Sequence, residues 1–210
     1  MNLTDMRTIV RRDLKDEDTG NYRWSSDELD RHIAHAVSDL SEAIPLEQTA
    51  ILATAAGSRD IDISGLSQRI MLQTIEYPLD KFPRQYQRFS LWANILTLLG
   101  DIVPDGSDAR IYYGKMHTLD SQTSTIPTHL EGLVASGAEG YAAVEWASYT
   151  TNRVNVGGIT APQDFERWGN TRLEYFHKEL GRLGRRNHVR LTHLYTPDSP
   201  GASKTTDYGS

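Results

Sequence analysis

Residues 128–151 read THLEGLVASGAEGYAAVEWASYTT and predict one long helix around which the rest of the chain is arranged. Thr128 and Glu131 have the spacing of a capping box, in which each side chain satisfies an amide at the helix start. Apolar residues recur at helical intervals between Leu130 and Trp146, which indicates a stripe that packs against other elements. The pattern therefore predicts a buried central helix.

The other side of this helix carries small residues, at Gly132, Ser136 and Gly140. Such a row lets another backbone approach near the short end of the ~8–10 Å interaxial range. Each glycine costs roughly 1 kcal/mol of helix propensity against alanine, so tight packing has to offset that loss. Two interpretations stay open, a helix buried within one domain and a helix that also faces a neighbouring subunit. The subunit-interface hypothesis names Gly132, Ser136, Gly140, Ala143, Tyr141 and Trp146.

The composition excludes several classes of protein. The chain has 210 residues, with 22 basic and 28 acidic side chains, a net charge of −6 and no cysteine. This length suits one domain, or one domain with an insertion. Disulfides, thiolate metal sites and cysteine nucleophiles are excluded, and the acidic balance gives no overall attraction to nucleic acid. No segment has the pattern of a signal peptide or a membrane span, so we expect a soluble protein.

The apolar periodicity changes twice along the chain. Residues 4–14 and 26–45 have the helical period, with Ser25 or Ser26 as the cap of the second helix. Over about 49–116 the period is two, which predicts five or six short strands joined by tight turns. A fourth helix is predicted from Asp164 to about Leu183, with Gly184 as its stop signal.

The predicted fold class is α+β, a mainly helical bundle of about four helices with an antiparallel β region inserted between the second and third helices. Residues 1–48 and 119–187 form the predicted helical core, and 49–118 form the inserted β region. Residues 188–210 are predicted to be a C-terminal docking tail, because their composition buries too little apolar area to order alone.

The search for chemistry finds no catalytic motif. His32, His35 and Asp39 are spaced so that they could share one metal, and a metal-dependent hydrolase using them is the alternative function. They lie among polar positions, however, which favours a solvated face. His117 follows the last strand and could hydrogen-bond to a loop. The glycines at 157–158 lack the context of a phosphate-binding loop. We therefore predict no catalytic, cofactor-binding or metal site, and no cofactor.

A basic segment is the charged feature above background. Between Arg172 and Arg190 there are six basic residues and two acids. One interpretation is a solvated helix end whose cations suit the helix dipole. Another is a docking surface for an acidic partner, continued by a strand at 189–195 that could extend a partner's sheet. Nucleic acid binding ranks third, because interleaved aromatic residues are missing. The docking hypothesis names Arg182, Arg185, Arg186, Arg190, Leu191, Leu194 and Tyr195.

Short motifs follow one another along the chain. A tryptophan–serine helix start at Trp24 to Leu29 is followed by EYP from Glu76, FSLW from Phe89, and then RIYYGKMHTL, STIPTHLE, GAEGYAA and YTTNRVN. In this order they resemble the head-to-tail adaptor proteins of long-tailed bacteriophages, also called head-tail connector or head completion proteins. The likeness extends from Leu3 to about Tyr195 and depends on the ordered set.

The resemblance implies a structural virion protein and not an enzyme. Adaptors of this kind form rings, commonly of twelve copies, beneath the portal and above the stopper or tail. Genomic double-stranded DNA passes through the middle of the ring without specific binding. The implied partners are other copies of the chain, the portal protein and a stopper or tail-completion protein, with no membrane. The implied location is the head–tail neck of the virion, and the host cytoplasm during assembly.

Overall fold

The computed structural model describes residues 1–150 and 161–194, which form four α-helices and six β-strands. The helices are α1 (Leu3–Asp13), α2 (Ser26–Ala43), α3 (Glu131–Thr150) and α4 (Ala161–Leu194). A 3-10 turn, Thr128–Leu130, leads into α3. The strands are β1 (Leu46–Ala53), β2 (Asp60–Asp62), β3 (Arg69–Glu76), β4 (Tyr86–Trp92), β5 (Ile95–Leu99) and β6 (Asp108–Lys115). The predicted α+β class, with four helices and antiparallel strands, is confirmed.

The chain divides into two compact units, and each has a hydrophobic core of its own. The first unit comprises Met1–Leu46 and Met116–Asn187, and the second comprises Glu47–Lys115 with the described residues 188–194. The arrangement differs from the predicted bundle with an inserted β region, because the six strands form a half-barrel. The physical reason is that alternating apolar residues of the strands supply a complete core by themselves.

The first two helices begin with capping boxes. At α1 the Asn2 side chain accepts the Asp5 backbone N–H at 2.9 Å, and the Asp5 carboxylate accepts the Asn2 N–H at 3.2 Å. At α2 the same exchange joins Ser25 and Glu28, which confirms Ser25 as one of the two predicted caps. Pro45 follows the end of α2, where its ring disfavours helical geometry in the preceding residue.

Asp16 organises the loop between α1 and α2. Its carboxylate, 5 % exposed as a residue, accepts bonds of 2.6 Å from Arg11 Nη1 and from the Arg23 backbone N–H. Trp24, which follows Arg23 in the chain, is buried and donates through Nε1 to the Ala142 carbonyl oxygen at 3.3 Å. A charged pair in this position therefore fixes how the chain enters α2 and where Trp24 meets α3.

The core of the first unit is formed by all four helices. Its fully buried side chains share helical spacing within each helix, which is why they fall on inward stripes. They include Met6 and Val10 of α1, Leu29, Ile33 and Leu40 of α2, Val134 and Ala138 of α3, and Phe176 of α4.

The start of α3 corrects one sequence prediction. Thr128 does not form a capping box with Glu131, since the preceding residues make a 3-10 turn whose N-cap, Pro127, has no side-chain bond to give. The Glu131 carboxylate instead accepts a hydrogen bond from the ammonium group of Met1 at 2.7 Å. The carboxylate is therefore engaged with the N-terminus rather than with the amides at the helix start.

Two predictions about α4 are wrong. Gly184 does not end the helix, which continues to Leu194. A glycine stops a helix by adopting a left-handed φ, and Gly184 keeps a negative φ while packing beside Ala43 of α2. Within the described residues, 189–194 are therefore helical and not a strand. Helix propagation costs less than starting a strand, which overrides the β preference of Val189.

The sheet has the strand order β1-β6-β3-β4-β5-β2, so β1 and β2 are its edges. Its core is supplied by alternating residues, among them Ile61, Ile75, Leu96 and Ile111. β4 and β5 form a hairpin in which Trp92 is opposite Ile95, and the two are joined by a turn at Ala93 and Asn94. Ala93 has a φ of 51°, the left-handed geometry that tight hairpins need.

Candidate docking surfaces

The second half of α4 presents a basic face to solvent. Phe176 and Leu180 are buried on its inner side. Six exposed residues are spaced three, four, three, one and three apart, which places them on the opposite side of the helix. This outward face of α4 consists of Tyr175, Lys178, Arg182, Arg185, Arg186 and Val189.

The cations of this face form few ion pairs with acidic side chains of the described residues. Arg182 pairs with Glu179 one turn earlier, at 2.7 Å, an exposed helix pair of small energetic value. Among the described residues, Arg185 and Arg186 form no ion pair within 4 Å. Two neighbouring guanidinium groups are thus exposed, and their docking role stays a prediction.

The remaining predicted docking residues lie further along the chain. Arg190 is exposed and pairs with Glu47 at the start of β1. Leu191 is half-buried in the last turn of α4. The side chain of Leu194 and the whole of Tyr195 lie outside the described residues. Their predicted contact with a portal stays a prediction.

The small residues of α3 are used inside the first unit. A Cβ added to Gly140 would lie 2.7 Å from Leu173 Cγ and 3.1 Å from the carbonyl oxygen of Gly169, both on α4. Ser136 and Ala143 are also buried. Gly132 is the exception, because it is exposed and a Cβ there meets nothing within 4 Å. The close approach that these residues permit is therefore made by α4 of the same chain.

The two aromatic residues of the interface hypothesis are half-buried. Tyr141 stacks on His35 with ring centroids 4.0 Å apart and donates its hydroxyl proton to Asp39. Burial and this acidic acceptor raise the pKa of Tyr141 above its usual range. Trp146 packs on Phe165 of α4 with ring centroids 4.6 Å apart. Both rings thus join helices of one unit while leaving part of their area to solvent.

The residues of the alternative hydrolase hypothesis do not converge. His32 is 5 % exposed and directs Nε2 toward Glu145, 3.2 Å away, and burial lowers its pKa. His35 lies on the exposed side of α2, with Nε2 3.9 Å from Asp39. A search of the described residues finds no group of three or more potential metal ligands. Within the described residues, this arrangement does not assemble a metal centre.

His117 behaves as the sequence suggested. Its Nδ1 lies 3.0 Å from the Thr125 carbonyl oxygen, so it bonds to the loop that follows β6. Its Nε2 lies 3.0 Å from the Ile44 carbonyl oxygen, and its backbone N–H donates to Ser41 Oγ at 2.9 Å. The ring therefore fastens a loop to the end of α2, which is a structural role.

A buried carboxyl group joins α1, α3 and α4. Glu139 is 1 % exposed, and its Oε2 lies 3.5 Å from Nε of Arg172. Burial, and then a hydrogen bond with Asp13, raise the pKa of Glu139 to about 8. Arg172 opposes that shift, but its side chain is 40 % exposed and solvent weakens its field. The junction therefore holds a protonated acid at neutral pH.

Sequence reasoning missed an apolar face on the sheet. Opposite residues of antiparallel strands share a face, and the observed register places Trp92, Ile95 and Leu99 on one side of the β4–β5 hairpin. Trp92 is 85 % exposed. Asp60 and Asp62 of β2 join this side through their partners in β5. We call it the outer sheet face, made of Asp60, Asp62, Ser90, Trp92, Ile95, Thr97 and Leu99.

Alternation alone could not have revealed this face. The run FSLWANIL alternates apolar residues on both sides of the hairpin, so the sequence gives two candidate inner faces. Burial of Leu96 and Leu98 decides which one is inside. A tryptophan placed next to a hairpin turn was the signal that an exposed aromatic residue was possible.

Comparison with known proteins assigns no family. The sequence matches none of the protein-family models, and no curated protein matches it significantly. None of the described helices is both long and apolar enough to cross a membrane.

Proposed function

We propose that this protein is a head-to-tail adaptor of a long-tailed bacteriophage, a structural subunit that forms a ring between the portal and the stopper or tail. The ordered motifs from Trp24 to the GAEGYAA segment motivate the proposal. The observation that carries it is the outward face of α4. Its exposed guanidinium groups suit binding to an acidic protein surface, whereas the described histidines assemble no metal centre.

The proposed ring surrounds the genome without holding it. The net charge of −6 opposes accumulation of the chain on phosphate groups. Four of the 22 basic residues, Lys178, Arg182, Arg185 and Arg186, lie together on one helix face, which can be turned toward protein rather than toward DNA. The resemblance implies a ring of about twelve copies. In this proposal each copy is a subunit of the head–tail neck.

In this proposal the C-terminal segment attaches the ring to the portal. Arg190 and Leu191 begin the segment, and Leu194 and Tyr195 continue it. Arginine and leucine side chains side by side suit a docking site that is both acidic and apolar. Attachment should therefore depend on residues after Arg186, while the core of the first unit, which uses residues up to Leu183, should not.

Portal binding by a shortened chain tests the proposal. The full chain and a chain that ends at Arg186 are each mixed with purified portal rings and sedimented, and the mass of the bound material is measured. We expect the full chain to bind as a ring, and the shortened chain to keep its helical circular dichroism but stay unbound. Arg167→Ala, an exposed change at the other end of α4, serves as the matched control and should bind normally.

Two results contradict the proposal. A full chain that stays monomeric with portal present removes the adaptor function. Undiminished binding by the shortened chain keeps the adaptor function but removes the role of its C-terminal segment.

A further inference from the structure

The outer sheet face is unusual for a surface in contact with water. Trp92 and Ile95, 85 and 40 % exposed, are directly opposite each other in the hairpin, and Leu99, 46 % exposed, lies on the same side at the other end of β5. Contiguous exposed apolar area is a general mark of a binding site, whereas single exposed apolar residues are not. Asp60 and Asp62 border the apolar residues through the pairing of β2 with β5. Hydrogen bonds from Ser64 lower the pKa of Asp62, so this carboxylate is charged.

The outward face of α4 has the opposite character at a matching size. Its cations are flanked by exposed apolar residues, Tyr175 at 55 % and Val189 at 57 %. Residues 178–189 span roughly 17 Å of helix. Residues 95–99 span roughly 14 Å of strand. A helix laid along β5 can therefore place several of its outward residues on the outer sheet face.

The chemistry of the two faces is complementary. An exposed indole such as Trp92 is the preferred aromatic partner of a guanidinium group. Asp60 and Asp62 offer carboxylates that Arg185 and Arg186 can bind as hydrogen-bonded ion pairs. One cation, Arg88, lies opposite Leu99 at the far end of the face, away from the two aspartates.

We infer that the outward face of α4 in one copy of this chain docks on the outer sheet face of a second copy. Because the two faces differ, each copy can bind one neighbour through its helix and another through its sheet. Such heterologous contacts join copies head to tail. The inference rests on the proposed function only for the closure of this chain of contacts into a ring.

A second copy explains both faces at once, and this is the reason for choosing it over the portal. Arg185 and Arg186 belong to the residues that the adaptor resemblance directs to the portal. A portal site for them would leave Trp92 and Ile95 exposed in the assembled ring. The contact between copies covers the apolar face and neutralises the basic one, and it leaves Arg190 and the following residues to the portal.

Cysteine cross-linking tests the contact without background, because the chain has no cysteine. Ser90→Cys places a thiol on the outer sheet face, and Lys178→Cys places one on the outward face of α4. The two full-length variants are mixed and treated with a short bismaleimide cross-linker. We expect several-fold more cross-linked dimer in the mixture than in either variant alone. Ala34→Cys, an exposed position on α2, replaces either partner as the control and should give no dimer.

Charge reversal then tests which groups make the contact. Asp60→Lys with Asp62→Lys, introduced into the Ser90→Cys chain, should abolish the cross-link to Lys178→Cys. When Arg185→Glu and Arg186→Glu are introduced into the Lys178→Cys chain, that chain should again cross-link to the Ser90→Cys chain that carries Asp60→Lys and Asp62→Lys. Circular dichroism of each variant confirms that these exposed substitutions leave the fold intact.

Three outcomes overturn the inference, and a fourth supports it while overturning the proposed function. Dimer formed equally by Ser90→Cys alone shows a symmetric contact, and absence of dimer in the mixture both with and without portal rings shows no such contact. A ring that binds portal without this cross-link removes the inference and leaves the adaptor function standing. A chain that forms this cross-link but never binds portal supports the inference and removes the adaptor function.

Discussion

Gly140 and Gly132 lie on the same helix and should respond oppositely to alanine. A Cβ at Gly140 would stand 2.7 Å from Leu173 Cγ, 2.9 Å from Leu173 Cδ2 and 3.1 Å from the Gly169 carbonyl oxygen. The leucine can change rotamer, but the carbonyl moves only if α4 moves. At Gly132 the added carbon meets nothing within 4 Å. The pair therefore isolates the packing of α4 on α3 from the intrinsic cost of glycine in a helix.

The expected magnitudes follow from two opposing terms. Replacing glycine by alanine within a helix stabilises it by up to about 1 kcal/mol. Overpacking a closed contact by one carbon costs about 1–3 kcal/mol. Gly132→Ala should thus stabilise the protein, with about 1 kcal/mol as the upper limit. The gain should fall below that limit because Gly132 lies in the first turn of α3. Gly140→Ala should destabilise it by about 1 kcal/mol, since the Gly169 oxygen cannot yield.

Thermal unfolding followed by circular dichroism at 222 nm measures the difference. For a chain of this size 1 kcal/mol corresponds to roughly 2–4 °C in Tm. We expect the Tm of Gly140→Ala to fall below that of the parent chain and the Tm of Gly132→Ala to equal or exceed it. A Gly140→Ala variant as stable as Gly132→Ala would refute the packing described here. It would return Gly140 to the set of residues available for contact with another subunit.

Three further substitutions test buried polar groups. Because the pKa of Glu139 is about 8 when folded and near 4.5 when unfolded, the folded state binds more protons between these values and stability falls as pH rises through them. Glu139→Gln should therefore have the same free energy of unfolding as the parent chain at pH 4 and one higher by roughly 3 kcal/mol at pH 7. Urea unfolding at both pH values measures the difference. A difference that does not change with pH contradicts the raised pKa of Glu139. Asp16→Ala leaves Arg11 buried without its partner and should cost about 3–5 kcal/mol, seen as a lower urea midpoint, whereas the exposed control Asp18→Ala should cost far less. Tyr141→Phe removes the hydrogen bond to Asp39 and should cost about 1.5–3 kcal/mol; unchanged thermal stability would show that this bond adds nothing.

Local sequence patterns predicted the early helices and the strands well because local chemistry decides them. Ser25 and Glu28 satisfy amides within one turn, so the start of α2 depends on four residues alone. β2 and β5 follow the two-residue period of burial, and the Ala93–Asn94 turn is fixed by the two strands that it joins. No distant residue is needed for either decision.

The prediction failed where a distant residue decides the outcome. The Glu131 carboxylate binds the Met1 ammonium instead of capping α3, and nothing within the local motif reveals that competitor. Gly184 lies beside Ala43 of α2 and keeps helical geometry, although glycine at such a position is a good local stop signal. For Gly140 the sequence left two interpretations open, because a row of small residues indicates a close neighbour without saying which chain supplies it; Leu173 and Gly169 of the same chain lie there.

The use of the small residues inside the unit changes where contacts between copies can arise. Gly140 and Ala143 are already covered by α4, so another subunit could reach them only by displacing that helix. The proposed ring would then use side chains that reach outward, as those of the outward face of α4 and the outer sheet face do. Such contacts are individually modest because exposed ion pairs are weak. A subunit with modest contacts can remain separate in dilute solution and assemble when a template ring concentrates its copies, since held copies meet at high effective concentration.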